Sequence, residues 1–229
     1  MKNSDRVSAN SFYSHIYMIM GFGLLISSLV SFIMINYFGN TMMNILQNNY
    51  WVLPVTWVIE LITVYVLGRF TSNNSSTALP GFIFYSALNG FTLSFSLIYY
   101  DPNSITIAFI IAAIMFFGLA IYGTLTKRSL TGAGKAARAG LLGVIIASII
   151  YIFTGGSTFD LIISLASVII FSILIAYDNQ RIKNVYDRSY GDVTRGEEIN
   201  LALSVYLDFI NIFTNILRIT SKNSNNNSH

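Results

Sequence analysis

The sequence predicts an all-α, polytopic membrane bundle of about seven transmembrane helices with the seventh central, and three observations point to it. Of 229 residues, 54% are hydrophobic and 10% are charged, far too little charge to cover a soluble domain of that length. The apolar residues collect into runs close to the roughly 20 residues that a spanning helix needs. The Lys and Arg residues fall in alternate gaps between those runs rather than in all of them.

Six runs qualify by apolarity alone: about 14–38, 50–70, 80–100, 104–125, 139–155 and 158–180. The first is too long for the apolar part of a secretion signal, and no small-residue cleavage site follows it. Gly39-Asn40 predicts the turn that closes it, the polar stretch Thr71 to Thr77 separates the second run from the third, and Asp101-Pro102 separates the third from the fourth. Gly155-Gly156 divides the fifth from the sixth. The seventh run, about 198–219 (EINLALSVYLDFINIFTNILRI), is apolar yet carries Asn200, Asp208, Asn211 and Asn215. Residues 1–220 therefore read as a single transmembrane domain, and SKNSNNNSH at 221–229 reads as a disordered polar tail.

Charge sets the expected orientation. Lys2 and Arg6 precede the first run, Arg69 ends the second, Lys127, Arg128, Lys135 and Arg138 lie between the fourth and fifth, and Arg181, Lys183, Arg188 and Arg195 between the sixth and seventh. The gaps after the first, third and fifth runs contain no Lys or Arg. The positive-inside rule places the N-terminus in the cytoplasm. A fully spanning seventh helix carries Arg218 and Lys222 outside, against that rule, so a re-entrant seventh segment stays open as an alternative.

Several function classes drop out. With no cysteine there is no disulfide, thiolate metal site or cysteine nucleophile, and His15 and His229 have no ligand-spaced partners. The net charge of +3 comes from clusters that read as topology signals, not as a nucleic-acid surface. TGAGKAARAG lacks the first Gly and the Ser/Thr of a phosphate loop, and no cofactor is expected. The lipid bilayer is the expected partner.

Ionisable groups at bilayer depth need a partner or a wet cavity. Four stand out: Glu60 and Arg69 in the second run, Asp178 at the cytoplasmic end of the sixth, and Asp208 in the seventh. Arg69 can snorkel to the interface and Asp178 can be an ordinary helix-end charge. Asp208 sits roughly 15 Å inside its helix at 1.5 Å per residue, flanked by Tyr206, Leu207, Phe209 and Ile210. Its bland alternative is a structural hydrogen bond to another helix. Asn200, Ser204, Asp208, Asn211 and Asn215 recur at three- and four-residue spacing, which puts them on one stripe facing a polar cavity or a hydrogen-bonded interface.

Four segments in order resemble the Bax inhibitor family of small membrane proteins. ALNGFTLSFSLIYY in the third run is similar to the family's Ala-Leu-x-Gly pattern with a following Leu-Ser step. YGTLTKRSL resembles Tyr-Gly-x-x-Thr-Lys-Arg-Asp-Leu, with Ser129 where the family has an acid. AYDNQRI ends the sixth run and VYLDFINIFTNILRI fills the seventh. The resemblance covers about 80–219, the first two runs agreeing only in hydropathy, and the gap between the sixth and seventh runs is several residues longer than in compact bacterial members. It implies a pH-sensitive calcium leak gated by a hydrogen-bonded aspartate pair, here Asp178 with Asp208, with possible calcium contacts at both. It further implies a helix-2 arginine latching that pair, for which Arg69 is the candidate, with Glu60 a further latch or pore residue. A monomer is the implied state; the absence of organelle signals and the Asn/Ile-rich composition point to a bacterial inner membrane.

The chemistry of such a pair stands apart from the resemblance. Two carboxyls within hydrogen-bonding range in a poorly solvated site cannot both ionise cheaply, so they share a proton. Protonated, they tie two helices together; deprotonated, they repel and offer hard oxygen ligands to calcium. An intramembrane aspartyl protease also sets Tyr-Asp on one helix and Asp on the next. Asp208, however, lies in Leu-Asp-Phe without Gly-x-Gly-Asp, and no Pro-Ala-Leu follows, so no enzyme is expected. A non-transporting regulator that binds other membrane proteins, such as a membrane protease, is the second reading.

Overall fold

The computed structural model describes residues 8–49, 51–73 and 75–226; the side chains of 53, 54, 69–73, 75 and 222–226 lie outside that description. Among the described residues there are seven helices and no strand: α1 (Ala9–Asn48), α2 (Val52–Asn73), α3 (Ser75–Leu97), α4 (Pro102–Leu125), α5 (Thr131–Thr154), α6 (Ser157–Ser189) and α7 (Arg195–Asn226). Five of them, α1, α4, α5, α6 and α7, are long and apolar enough to cross a membrane. The described apolar stretch of α2, Val55–Gly68, is shorter. Pro80, Ser86, Asn89 and Ser94 dilute the apolar character of α3.

Helix ends follow local chemistry in most places. Ser8 caps α1 by accepting the Ser11 N–H at 3.2 Å. Pro102 opens α4, where its missing N–H is no loss. Gly155 (φ 63°) and Gly156 (φ 102°) turn the chain between α5 and α6 through the left-handed region that side chains avoid. The Thr194 hydroxyl accepts from Glu197 N–H at 3.3 Å and starts α7, with Glu197 and Glu198 in its first turn.

Two ends differ from expectation. α1 does not turn at Gly39-Asn40 but continues to Asn48, and Met42, buried beyond that pair, gives the continuation an apolar contact that a turn would forgo. α7 is unbroken from Arg195 to Asn226, so it holds no re-entrant turn, and residues 221–226 of the expected polar tail continue it; 227–229 lie outside the described residues. Lys2 and Arg6 of the topology argument also lie outside them.

The chain forms two compact units, 1–101 with 186–206, and 102–185 with 207–229. In the first, α3 packs against α1 and α2. The Ser31 hydroxyl donates to Gly90 O (2.6 Å), Ser27 Oγ lies 2.7 Å from Ser86 O, and a Cβ added at Gly90 would strike the Ser27 backbone. In the second, Phe109, Phe116 and Phe209 pack edge to face. Gly123 of α4 lies against the Ala176 backbone of α6, leaving no room for a Cβ. Apolar side chains such as Phe22, Leu25, Leu29, Ile114, Phe117 and Ile146 are exposed, as lipid-facing residues are. α7 has no exposed residue from 198 to 221.

Candidate functional site

The second unit brings Asp178 and Asp208 together. Asp178 is 6% exposed and Asp208 4%, and their side chains lie within hydrogen-bonding reach of each other. One oxygen of Asp208, Oδ2, is buried with no hydrogen-bond partner among the described residues. Two ionised carboxylates can only set acceptor against acceptor. A proton held between them turns the same contact into a hydrogen bond.

Three side chains of the same unit frame the pair. Arg138 Nη2 of α5 approaches Asp178 Oδ1 at 3.4 Å, and its guanidinium carbon stands 4.9 Å from the centre of the Tyr177 ring. The charge of Arg181, three residues along α6, also acts on Asp178. Asn179 is buried, and its amide nitrogen donates to Ile175 O at 2.7 Å.

The next turn of α6 organises the α4–α5 connection. Gln180 Oε1 accepts the Leu130 N–H at 2.8 Å while Gln180 Nε2 donates to Arg128 O at 2.8 Å. Lys183 Nζ donates to Thr124 O at 3.1 Å, a cation on the last carbonyls of α4. Ser129, standing where an acid is usual, accepts the Thr131 N–H at 3.4 Å. The motifs YGTLTKRSL and AYDNQRI are thus one interlocked piece.

At the other end of α6, Asp160 pairs with Arg218 of α7, Nη1 to Oδ1 at 3.2 Å. Sequence reasoning misses this pair because Asp160 sits in the first turn of its helix, where an acid is ordinary. The signal is Arg218 itself, a basic residue late in an apolar helix, which needs an anion nearby.

The remaining expected residues fall elsewhere. Glu60 belongs to the first unit, where it accepts from Asn89 Nδ2 at 2.9 Å. The Arg69 side chain lies outside the described residues. Of the α7 stripe, Ser204, Asn211 and Asn215 donate to their own helix, to Asn200 O (3.3 Å), Leu207 O (2.8 Å) and Asn211 O (2.7 Å). Asp208 is the stripe residue that meets another helix through a charged group. Among the described residues no group of three or more His, Cys, Asp or Glu side chains is placed to hold a metal ion.

Comparison with known proteins adds four findings. A family model described as "Inhibitor of apoptosis-promoting Bax1" matches residues 9–225. An uncharacterized protein, YrjE, of Lactococcus lactis is 47% identical over 210 residues, 92% of this chain and 90% of its own length. An uncharacterized membrane protein of Streptococcus pyogenes serotype M1 is 43% identical over 95% of both chains. The inner membrane protein YbhL of Escherichia coli K12 is 33% identical over 93% of this chain and 92% of its own.

Proposed function

The chain belongs to the Bax inhibitor family of membrane proteins, and on that premise we propose that it is a pH-sensitive calcium leak, closed while Asp178 and Asp208 share a proton. The observation that carries this reading is the enclosed contact of the two carboxyls, with Asp208 Oδ2 lacking a donor. At low pH the shared proton ties α6 to α7. As pH rises the proton leaves, two negative charges face each other in a site that solvates them poorly, and the tie becomes a repulsion. The same oxygens then attract a divalent cation. Two carboxylates supply only part of the six to eight oxygens that calcium prefers, which suits passage better than storage.

Calcium uptake into proteoliposomes, measured across a pH series, tests this. Flux rises with pH in the wild type, and Asp208→Asn or Asp178→Asn, which cannot form the doubly charged state, loses the flux and its pH dependence. Wild-type flux indifferent to pH, or an unaltered profile in Asp208→Asn, sinks the proposal. Absence of flux together with stable co-purification of another membrane protein favours the regulator reading.

A further inference from the structure

The chain from 102 to 159 contains Lys127, Arg128, Lys135 and Arg138 and no Asp or Glu. Arg138 has Asp178 as its anion. Lys127, Arg128 and Lys135 are exposed, and none of them is in an ion pair among the described residues. The connection between α6 and α7 differs, because Asp187, Asp192, Glu197 and Glu198 are interleaved there with Arg188 and Arg195.

The backbone between α4 and α5 is sorted by sign as well. Two carbonyls take donors from α6: Thr124 O accepts from Lys183 Nζ at 3.1 Å, and Arg128 O from Gln180 Nε2 at 2.8 Å. The positive ends of the peptide dipoles gather where α5 starts, and there no acid lies in the first turn and Leu130 supplies no side-chain cap. The negative ends are thus turned inward. The same hydrogen bonds hold the connection against α6, so its cations stand on a fixed base.

The level of this patch says what meets it. Exposed large apolar side chains of α4 run from Ile114 through Phe117 and Ile121 to Leu125, and Lys127 follows two residues later. On α5 the exposed large apolar side chains begin at Leu142, beyond Lys135 and Arg138. Tyr122, also exposed, stands near the same border, where interfacial aromatics collect. The lipid-facing surface therefore ends where the cations begin, and that is the level of phospholipid headgroups.

We propose that Lys127, Arg128 and Lys135, together with the start of α5, form a docking surface for the phosphate of an anionic phospholipid whose acyl chains lie along α4. Long basic side chains can lay their stems on apolar surface and reach the phosphate with their ends. The Arg128 guanidinium can also engage two phosphate oxygens at once. A zwitterionic lipid brings the same phosphate with a cation of its own, so the surface selects lipids of net negative charge. None of this depends on the calcium leak.

Native mass spectrometry of the full chain in detergent, titrated separately with phosphatidylglycerol and phosphatidylcholine, tests the surface. The wild type prefers phosphatidylglycerol by roughly tenfold or more, since each cation beside an anionic headgroup contributes about fivefold. Lys127→Gln/Arg128→Gln/Lys135→Gln abolishes that preference, and Lys127→Arg/Arg128→Lys, which keeps the charge, retains it. Arg188→Gln/Arg195→Gln, which removes the same kind of charge from the other connection, leaves it unchanged. Should the triple variant fail to fold, Lys127→Gln/Arg128→Gln and Lys135→Gln each show a partial loss. Glycerol 3-phosphate at the same concentration, the headgroup chemistry without acyl chains, does not displace the lipid. A wild type without preference, or a preference that survives in the triple variant, overturns the proposal. An equal loss in Arg188→Gln/Arg195→Gln overturns it as a general charge effect, and displacement by glycerol 3-phosphate overturns it in favour of a soluble anion.

Discussion

The Tyr206 hydroxyl donates to Asn89 Oδ1 across 2.9 Å in the interior of the first unit. The other end of that amide donates to Glu60 Oε1, also at 2.9 Å, and the phenol oxygen meets the Ser27 hydroxyl at 2.6 Å. A chain of four polar side chains thus joins α7, α3, α2 and α1, and all four are buried. The two ends of Asn89 are fixed by its neighbours, since only its oxygen can accept from Tyr206 and only its nitrogen can donate to a carboxylate.

Tyr206→Phe removes the donor and leaves Asn89 Oδ1 enclosed without it. The expected loss is about 1–3 kcal/mol, the cost of a buried acceptor left unsatisfied, measured by unfolding in mixed detergent micelles. Glu60→Gln, whose side-chain oxygen still accepts from Asn89, stays close to wild type, whereas Glu60→Leu does not. Equal stability of Tyr206→Phe and wild type would refute the network as a stabilising element.

Two glycines of α4 separate packing from helix propensity. Gly118 has open space around it, so Gly118→Ala stabilises by up to about 1 kcal/mol. Gly123 faces the Ala176 backbone, which cannot rotate out of the way, so Gly123→Ala destabilises by about 1–3 kcal/mol. Thermal unfolding of the two variants side by side reads the difference in sign; the same sign for both contradicts the close approach.

Gln180 holds the α4–α5 connection with one acceptor and one donor. Gln180→Ala frees both backbone groups, and trypsin cleavage after the exposed Lys127 or Arg128 speeds up by roughly fivefold for each 1 kcal/mol of local opening. Gln180→Glu keeps the acceptor only and falls between. Unchanged cleavage rates in the alanine variant would show that the clamp does not restrain this turn.

Because the chain has no cysteine, single thiols report orientation without a background. The positive-inside rule expects Ser129 on the cytoplasmic side and Thr158 outside; both are exposed. A membrane-impermeant maleimide added to intact cells labels Thr158→Cys and spares Ser129→Cys. The reverse pattern inverts the expected topology.

Much of the fold is legible in the sequence because bilayer depth imposes long apolar runs, and because Pro102 and Gly155-Gly156 admit few backbone alternatives. Gly39-Asn40 misleads since glycine permits a turn without requiring one, and a tertiary contact at Met42 decides the matter. The aspartates are legible as charges in apolar helices. Arg138 reads only as a topology charge, for its approach to Asp178 depends on how α5 and α6 meet at Gly134, which no linear spacing reveals. Arg218 reads as a breach of the positive-inside rule until Asp160 is found beside it.

The seat of Gly123 on the Ala176 carbonyl lies two residues before Asp178. Side chains can swap rotamers to let helices slide, but bare main chain against main chain offers no such lubricant. The seat therefore sets how near α6 comes to α4 at that level, with no side chain in between to adjust the spacing.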